Sequence, residues 1–210
     1  MKPLIEYKTY LRYEKRVFRK IGSQHFSNKK VLDIGCGWGV NSSLIAQVAK
    51  RVTAIDVKER PSWKQLTSTK LRFGVADALS LSFKDSSFDV AYARNLLHHS
   101  DNPQVALEEM KRVVKPNGKI IIAEANRYNP IFYIHMTKIW KHEHFTRSHF
   151  EKLIKEYFID SHFYYFEAQY YPTDIEIIHK IERLWEILVE KIMFFHPFLS
   201  YNIAVIKNLK

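Results

Sequence analysis

Along the first part of the chain, the pattern of apolar and polar positions alternates between short apolar runs typical of strands and the spacing typical of helices. Short apolar or β-branched runs predict strands over 31–34, 51–56, 71–76, 88–93 and 119–125. Apolar residues at helical spacing predict a helix from Val40 to Val48 and another over 103–115, where Pro103 suits the first turn. Strands that alternate with helices indicate an α/β fold with a parallel sheet.

Residues 126–210 follow a less regular pattern. Thr146 is a candidate N-cap for a helix over 147–157, and the aromatic stretch 159–171 is strand-like. Residues 175–195 predict a helix with six apolar residues on one side: Ile177, Ile178, Ile181, Leu184, Ile187 and Leu188. Residues 201–206 predict a last strand.

Half of the six glycines lie in one turn, at Gly35, Gly37 and Gly39. Glycine permits positive φ and close approach of the backbone to a ligand. A strand, glycine turn and helix in succession form a site for nucleotide-like ligands at the carboxyl edge of a parallel sheet. The spacing differs by one residue from the dinucleotide fingerprint, and Val40 stands where its third glycine would be. Asp56, which ends the second strand, can accept two hydrogen bonds from a ribose diol.

Composition and charge narrow the class of protein. Apolar residues make up 46% and charged residues 26% of the 210 positions, which is typical of globular domains. A single cysteine excludes an internal disulfide and predicts a reducing compartment, the cytoplasm. No apolar run approaches the roughly 18 residues of a membrane span. Most of the net charge of +11 lies in residues 1–30, which hold nine Lys or Arg against two Asp or Glu. This basic arm is either a solvated helix face or a site for anions, nucleic acid or an acidic membrane surface.

Two segments resemble one enzyme family. Residues 31–42 (VLDIGCGWGVNS) resemble the first motif of class I S-adenosylmethionine-dependent methyltransferases. Residues 77–124 (DALSLSFKDSSFDVAYARNLLHHSDNPQVALEEMKRVVKPNGKIIIAE) resemble its type-11, UbiE-like branch. The resemblance covers about residues 30–125. It implies a Rossmann-like sheet of seven mostly parallel strands flanked by helices, with a helical and aromatic cap. It also implies S-adenosyl-L-methionine as the cofactor and methyl transfer as the reaction.

The resemblance assigns roles around the glycine turn. By position, Asp33 orders the glycine loop near the methionine amino group. Gly35, Cys36 and Gly37 pass under the methionine moiety, and Gly39 lets the following helix begin close to the ligand. A cysteine beside a helix N-terminus can be a reactive thiolate. We interpret Cys36 instead as a small residue tolerated between two glycines.

The resemblance also assigns roles at the later strands. Asp56 holds the ribose hydroxyls, and Val57 packs on the adenine. Asp77 accepts a hydrogen bond from the adenine amino group, and Ala78 supplies a backbone contact. Main-chain groups of Arg94 and Asn95 face the methionine end. Each carboxylate could alternatively cap a turn.

The acceptor decides whether a general base is needed, because only a hydroxyl or a protonated amine must lose a proton. His98 and His99 follow the fourth strand and are the candidate bases. Loop packing is the alternative role for both. Glu124, at the end of the fifth strand, is a weaker candidate.

Three tyrosines and four histidines permit two interpretations each. Tyr7, Tyr10 and Tyr13 could cover the cofactor as a lid, but their spacing also fits a packed helix face. Four histidines invite a metal site: His135, His142, His144 and His149. The segment around His144 lacks the spacing of the H-E-x-x-H zinc helix, so no metal is predicted.

The acceptor is expected to contact the aromatic residues of the last part of the chain: Tyr128, Phe132, Tyr133, Trp140, Phe163–Phe166, Tyr170, Tyr171, Phe194 and Phe195. Such residues suit a small aromatic or apolar molecule, a lipid-like or quinone-like one included, or simply a hydrophobic cap. Residues 194–198 could also contact a membrane surface.

Four functions are therefore weighed. The first is methyl transfer to a small molecule, and the second is RNA methylation through four basic residues: Lys15, Arg16, Arg19 and Lys20. A non-catalytic cofactor-binding protein is the third, and a nicotinamide oxidoreductase is a distant fourth. We expect one methyltransferase domain over 1–210, with a basic helical segment (1–30), a cofactor-binding core (31–125) and a substrate-side cap with the last strands (126–210). The oligomeric state is left open.

Overall fold

A computed structural model describes residues 4–66, 68–130, 133, 144–170 and 173–210, with side chains from residue 8 onward. Several residues named above lie outside the described residues, at least in their side chains: Tyr7, Phe132, His135, Trp140, His142 and Tyr171.

Seven described strands form one sheet, which confirms the predicted α/β class. The strands are β1 (Lys30–Ile34), β2 (Arg51–Asp56), β3 (Leu71–Val75), β4 (Phe88–Arg94), β5 (Val114–Ala125), β6 (Ser161–Phe166) and β7 (Tyr201–Lys207). Their order across the sheet is β3-β2-β1-β4-β5-β7-β6. β7 runs antiparallel to both of its neighbours, and the remaining pairs are parallel.

Helices cover both faces of the sheet. Those in the described ranges are α1 (Leu4–Ile21), α2 (Val40–Val48), α3 (Pro103–Val113), α4 (Arg147–Tyr157) and α5 (Glu176–Lys191). On one face, Met110 of α3 and Phe150 of α4 belong to a single buried cluster. On the other face, Val17 of α1 and Ile45 of α2 belong to a second cluster. The sheet is thus buried between two apolar layers, as parallel strands require.

The strand register creates a binding edge. Ile34, the last residue of β1, lies opposite Ile55 of β2 and Ala93 of β4. The residues that follow β1 therefore emerge between the carboxyl ends of β2 and β4. The chain crosses from β1 to β2 on one side and β4 lies on the other, so this edge is a topological switch point, where α/β folds bind ligands.

Most predicted boundaries agree with the structure to within two residues. Thr146 caps α4 as predicted, since its Oγ1 accepts a hydrogen bond from the backbone N–H of His149 at 3.2 Å. α3 ends at Val113, two residues early, and the Asn208 amide donates to the carbonyl of Val114 at 2.9 Å just beyond it. β5 begins at Val114, five residues before the predicted start at 119, and its pairing with β4 is irregular between Val114 and Lys119. Asn117 adopts a left-handed φ of 59° in this irregular stretch, which asparagine tolerates.

Two predicted elements are shorter. Within the described part of the strand-like stretch 159–171, residues 159–170, the strand covers Ser161–Phe166. The helix predicted over 175–195 ends at Lys191 and is followed by a 3₁₀ segment, Met193–Phe198. Pro197 cannot continue an α-helix, which accounts for the change of geometry.

The basic arm is only partly solvated. Arg16 is buried and forms ion pairs with Glu182 and Glu186 of α5. Lys20 lies 3.2 Å from Glu186 and 2.5 Å from Glu190. The interpretation of the arm as a solvated face is therefore wrong for these two residues, because α5 presents carboxylates to them.

Candidate functional site

A cavity of about 700 Å³ opens at the carboxyl edge between β1, β2 and β4. It is lined by ten of the predicted site residues: Asp33, Gly35, Cys36, Gly37, Asp56, Val57, Ala78, Arg94, Asn95 and His99. Gly39, Asp77 and His98 are not among its lining residues. The strand ends thus bring together residues that are up to 66 positions apart in the sequence.

The glycine loop is held against β2 by its own backbone. The N–H groups of Gly35 and Cys36 both donate to the carbonyl of Ile55, at 2.8 and 2.9 Å. Gly37 has a φ of 51°, and a methyl group added there would meet no atom within 4 Å. A side chain at this lining position would extend into free space, so its absence leaves the backbone open to a ligand.

Asp56 lies at the end of β2 and faces the cavity. Its Oδ2 accepts a hydrogen bond from the N–H of Gly37 at 2.9 Å, and its Oδ1 accepts one from the N–H of Lys58 at 3.1 Å. A carboxylate has about four acceptor positions, so one remains on each oxygen. The same residue therefore shapes the glycine loop and presents a pair of acceptors with the spacing of a vicinal diol.

Burial raises the pKa values of two groups in the cavity, the carboxyl group of Asp33 and the thiol of Cys36. Burial raises the pKa of Asp33 to about 6, although the hydroxyl of Ser42 donates to its Oδ2 at 2.6 Å and partly offsets the rise. Burial also raises the pKa of the Cys36 thiol well above its usual value, and the carboxylates of Asp33 and Asp56 add to the effect. Cys36 is therefore a protonated thiol at neutral pH and not a nucleophile.

Two residues that line the cavity have a buried polar atom without a partner in the described part of the chain. Arg94 donates through Nη2 to Glu14 of α1 at 2.5 Å, while its buried Nη1 has no hydrogen-bond partner there. Asn41 donates to the hydroxyl of Tyr92 at 2.7 Å, and its buried Oδ1 likewise has no partner. Buried polar atoms are costly unless they are satisfied. An amino-acid ligand, which carries both a carboxylate and an ammonium group, complements this donor and this acceptor.

The two candidate bases occupy different environments. Glu124 is fully buried and accepts hydrogen bonds from the N–H groups of Leu96 and Leu97 at 3.0 and 2.7 Å. Its other oxygen lies 2.6 Å from Nδ1 of His98, which must donate because a carboxylate only accepts. Glu124 and His98 thus fix the loop after β4. His99, whose ring centroid is 4.0 Å from that of His98, lines the cavity.

The structure shows which contacts Asp77 and two of the tyrosines make within the chain. Asp77 is exposed, and its Oδ1 accepts a hydrogen bond from the N–H of Leu79 at 2.9 Å, which is the turn-capping alternative. Tyr10 of α1 lines the cavity and packs edge-on against Tyr170, at 5.9 Å between ring centroids. Tyr13 is buried in the core, where its hydroxyl lies 2.6 Å from that of Tyr201. The three-residue spacing of the tyrosines therefore serves both interpretations.

Sequence reasoning missed several lining residues, namely Trp38, Asn41, Arg60 and Tyr92. Each lies within five positions of a residue it identified, yet no local pattern says which neighbours turn inward. Trp38 is 43% exposed, and Arg60 lies over its ring at 5.8 Å.

The described ranges contain neither a metal-binding cluster nor a membrane-spanning helix. No three His, Cys, Asp or Glu side chains there are grouped to hold a metal ion. His144 lies with its ring 4.2 Å from that of His98. No described helix is both long enough and apolar enough to cross a bilayer.

Part of the chain is similar to known methyltransferases. Residues 32–122 match the type-11 family model, described as a methyltransferase domain. The ubiquinone biosynthesis O-methyltransferase of Pseudomonas entomophila is 36% identical over 115 residues, which are 51% of this chain and 49% of that protein. The 2-methyl-6-phytyl-1,4-hydroquinone methyltransferase of Synechocystis is 36% identical over 102 residues, covering 46% of this chain and 32% of that protein. The matched region thus spans half the length, or less, of these curated relatives.

A solved structure extends the likeness of fold to the whole chain. The N-methyltransferase NodS from Bradyrhizobium japonicum, in complex with S-adenosyl-L-homocysteine, has a TM-score of 0.64 at 15% identity. The superposition covers 100% of this chain and 90% of that one. At this identity the likeness concerns the fold, because one fold supports many activities.

Proposed function

We propose that the chain is a class I S-adenosylmethionine-dependent methyltransferase, supported by the match of residues 32–122 to a methyltransferase domain model, and that it transfers a methyl group from S-adenosyl-L-methionine to a small aromatic or apolar acceptor. One observation carries the proposal. The 700 Å³ cavity lies between the glycine loop and the carboxylate of Asp56, at the switch point of the sheet. A molecule with a ribose diol at one end and an amino acid at the other matches the polar groups of this cavity.

The residues divide the binding between them. The remaining acceptor positions of Asp56 would hold the two ribose hydroxyls, and Val57, which is 70% exposed, offers an apolar surface to the adenine. Asp33, once ionised, would accept from the methionine ammonium. Nη1 of Arg94 would donate to the methionine carboxylate. When bound, the cofactor supplies a methyl group on a sulfonium, which is strongly electrophilic.

His99 is the residue we propose as the proton acceptor. For an acceptor hydroxyl, the proton moves to the imidazole while the oxygen forms its bond to the methyl carbon and the methyl–sulfur bond breaks. His98 does not line the cavity, so its role, with Glu124, is to hold the loop that carries His99. The relatives named for ubiquinone and hydroquinone methylation favour a phenolic hydroxyl as the first acceptor class to test.

RNA methylation is not favoured by the contacts of the arm. Arg16 and Lys20, two of the four basic residues of that hypothesis, are engaged by carboxylates of α5. They are therefore unavailable to phosphates unless α5 moves away.

The test has two steps. Isothermal titration calorimetry should detect S-adenosyl-L-homocysteine in the micromolar range, and NAD should give no heat. Methyl-labelled cofactor is then offered with a catechol, a hydroquinone and a primary amine in parallel. We expect label in the phenols and loss of that label, with binding retained, in His99→Ala. If no cofactor binds, or if only the amine is labelled, the proposal is wrong in its cofactor or in its acceptor, respectively.

A further inference from the structure

The outer side of α5 is apolar and faces solvent. It continues into the 3₁₀ segment that follows, and together they form what we call the apolar patch: Ile177, Ile181, Leu184, Leu188, Met193 and Phe194. Between 49% and 81% of each of these residues is exposed. Proteins seldom expose a contiguous group of large apolar side chains unless it binds something.

The patch faces outward because the polar side of α5 faces inward. Glu182 and Glu186 are buried and paired with Arg16 of α1, and Glu190 with Lys20. These residues lie opposite the patch at helical spacing. A helix that turns two buried carboxylates inward and exposes an apolar side differs from the usual arrangement of a surface helix. The outer side is thus left exposed by the part of the chain that the structure describes.

The charges beside the patch are mostly of one sign. Exposed basic residues lie on α5 itself, namely Lys180, Arg183 and Lys191. The exposed carboxylates here are Glu176, in the first turn and 3.8 Å from Arg12, and Asp174 just before the helix.

A basic stripe on α1 adjoins α5. Lys8, Arg12, Lys15 and Arg19 are all exposed and recur at helical spacing along one side of α1. Arg12 belongs to this stripe and also contacts Glu176 of α5. The stripe therefore runs beside the helix that carries the apolar patch.

We propose that the apolar patch docks the protein on the surface of an anionic lipid bilayer. The apolar side chains enter the boundary between headgroups and acyl chains, while the basic residues of α5 and α1 contact anionic headgroups. A second copy of the chain is a less suitable partner for the apolar patch than a bilayer. A two-fold contact through the patch brings the same basic residues of both copies together, and like charges repel. This inference stands independently of methyl transfer.

Vesicle co-sedimentation tests the proposal. The protein is mixed with phosphatidylcholine vesicles, with or without about one third phosphatidylglycerol, at about 0.05 M and about 0.5 M NaCl. We expect binding to the anionic vesicles at least about tenfold tighter than to the neutral ones, and weaker binding at the higher salt. Leu184→Glu should weaken binding to anionic vesicles at least about tenfold, because it places a charge where an apolar side chain would enter the bilayer.

Matched controls separate docking from folding. Ile159→Glu changes a 97% exposed isoleucine that follows α4, on the other face of the sheet, and should leave vesicle binding unchanged. The double variant Lys15→Gln/Arg19→Gln should weaken anionic binding more than tenfold, at about fivefold per charge, whereas Lys84→Gln should not. Thermal melting checks that each variant folds.

Three outcomes overturn the proposal. In the first, Leu184→Glu binds anionic vesicles as the wild type does. In the second, neutral and anionic vesicles bind equally. In the third, no vesicle binds and sedimentation velocity shows a dimer that Leu184→Glu dissociates, which would identify the patch as a contact between copies.

Discussion

Replacing Asp56 with alanine should weaken binding of S-adenosyl-L-homocysteine more than it lowers stability. The carboxylate already accepts from Gly37 and Lys58, and its two remaining positions are those proposed for the ribose hydroxyls. A hydrogen bond to a charged group contributes about 1.5–3 kcal/mol net, so two such bonds at the lower end contribute about 3 kcal/mol. The dissociation constant of Asp56→Ala should therefore rise about 150-fold.

The stability cost of the same change is smaller. Alanine leaves the N–H of Gly37 without its partner, but the site is only partly buried and water can replace the carboxylate. The cost is therefore about 1 kcal/mol, or about 2–4 °C in melting temperature. Asp56→Asn keeps one side-chain acceptor oxygen and should be intermediate in affinity. Asp174→Ala removes an exposed carboxylate just before α5 and should change neither quantity.

Calorimetry at about pH 7.5 measures the dissociation constant, and melting curves of the same samples measure the loss of stability. A folded Asp56→Ala variant with an affinity within about threefold of the wild type would refute the ribose assignment, since the two bonds would then contribute about 0.7 kcal/mol or less.

Three further outcomes are expected. Because burial raises the pKa of Asp33 to about 6 and its ionised form binds an ammonium far more strongly than the protonated form does, affinity for S-adenosyl-L-homocysteine should increase by up to about tenfold from about pH 5 to about pH 7. A calorimetric pH series should show this rise, and Asp33→Asn should flatten it. His99→Ala should lower kcat for a phenolic acceptor about 100-fold or more with unchanged cofactor affinity, in a labelled-methyl assay. Gly39→Ala, with a φ of 76° and a methyl group 2.6 Å from the ring of Phe73, should lose about 2–5 kcal/mol in urea melts. Gly37→Ala, which meets no atom, should lose about 1 kcal/mol.

The binding edge could be predicted from the sequence because strand ends and glycine turns are local patterns. The end of β2 at Asp56 and the positive φ values of the glycine loop were identifiable from a few neighbouring residues. The direction in which a side chain points could not be identified in this way. For Asp77 the sequence left both cofactor binding and turn capping open, and the hydrogen bond that its Oδ1 accepts from the N–H of Leu79 is visible only in the structure. His98 and His99 are adjacent, and only the packing of Glu124 separates a buried residue from a lining one.

Helix α5 illustrates a different limit. Periodicity correctly placed Ile181 and Leu184 on one side, but periodicity alone does not say whether that side faces the core. The decisive information lies in a long-range match, since α1 carries Arg16 and Lys20 at the same four-residue spacing as Glu182 and Glu186. Such complementarity is visible in the sequence only once the two helices are known to be neighbours.

The position of β7 also affects how the protein is made on the ribosome. Among the described strands, β6 pairs with β7 and not with β5, the strand that precedes it in the chain. β6 must therefore remain without a sheet partner during translation until Tyr201–Lys207 has left the exit tunnel. The described sheet is therefore complete only after β7 has been synthesised. A pause or a premature stop in translation before β7 would leave β5 and β6 with unpaired edges on the nascent chain, and exposed edges favour aggregation.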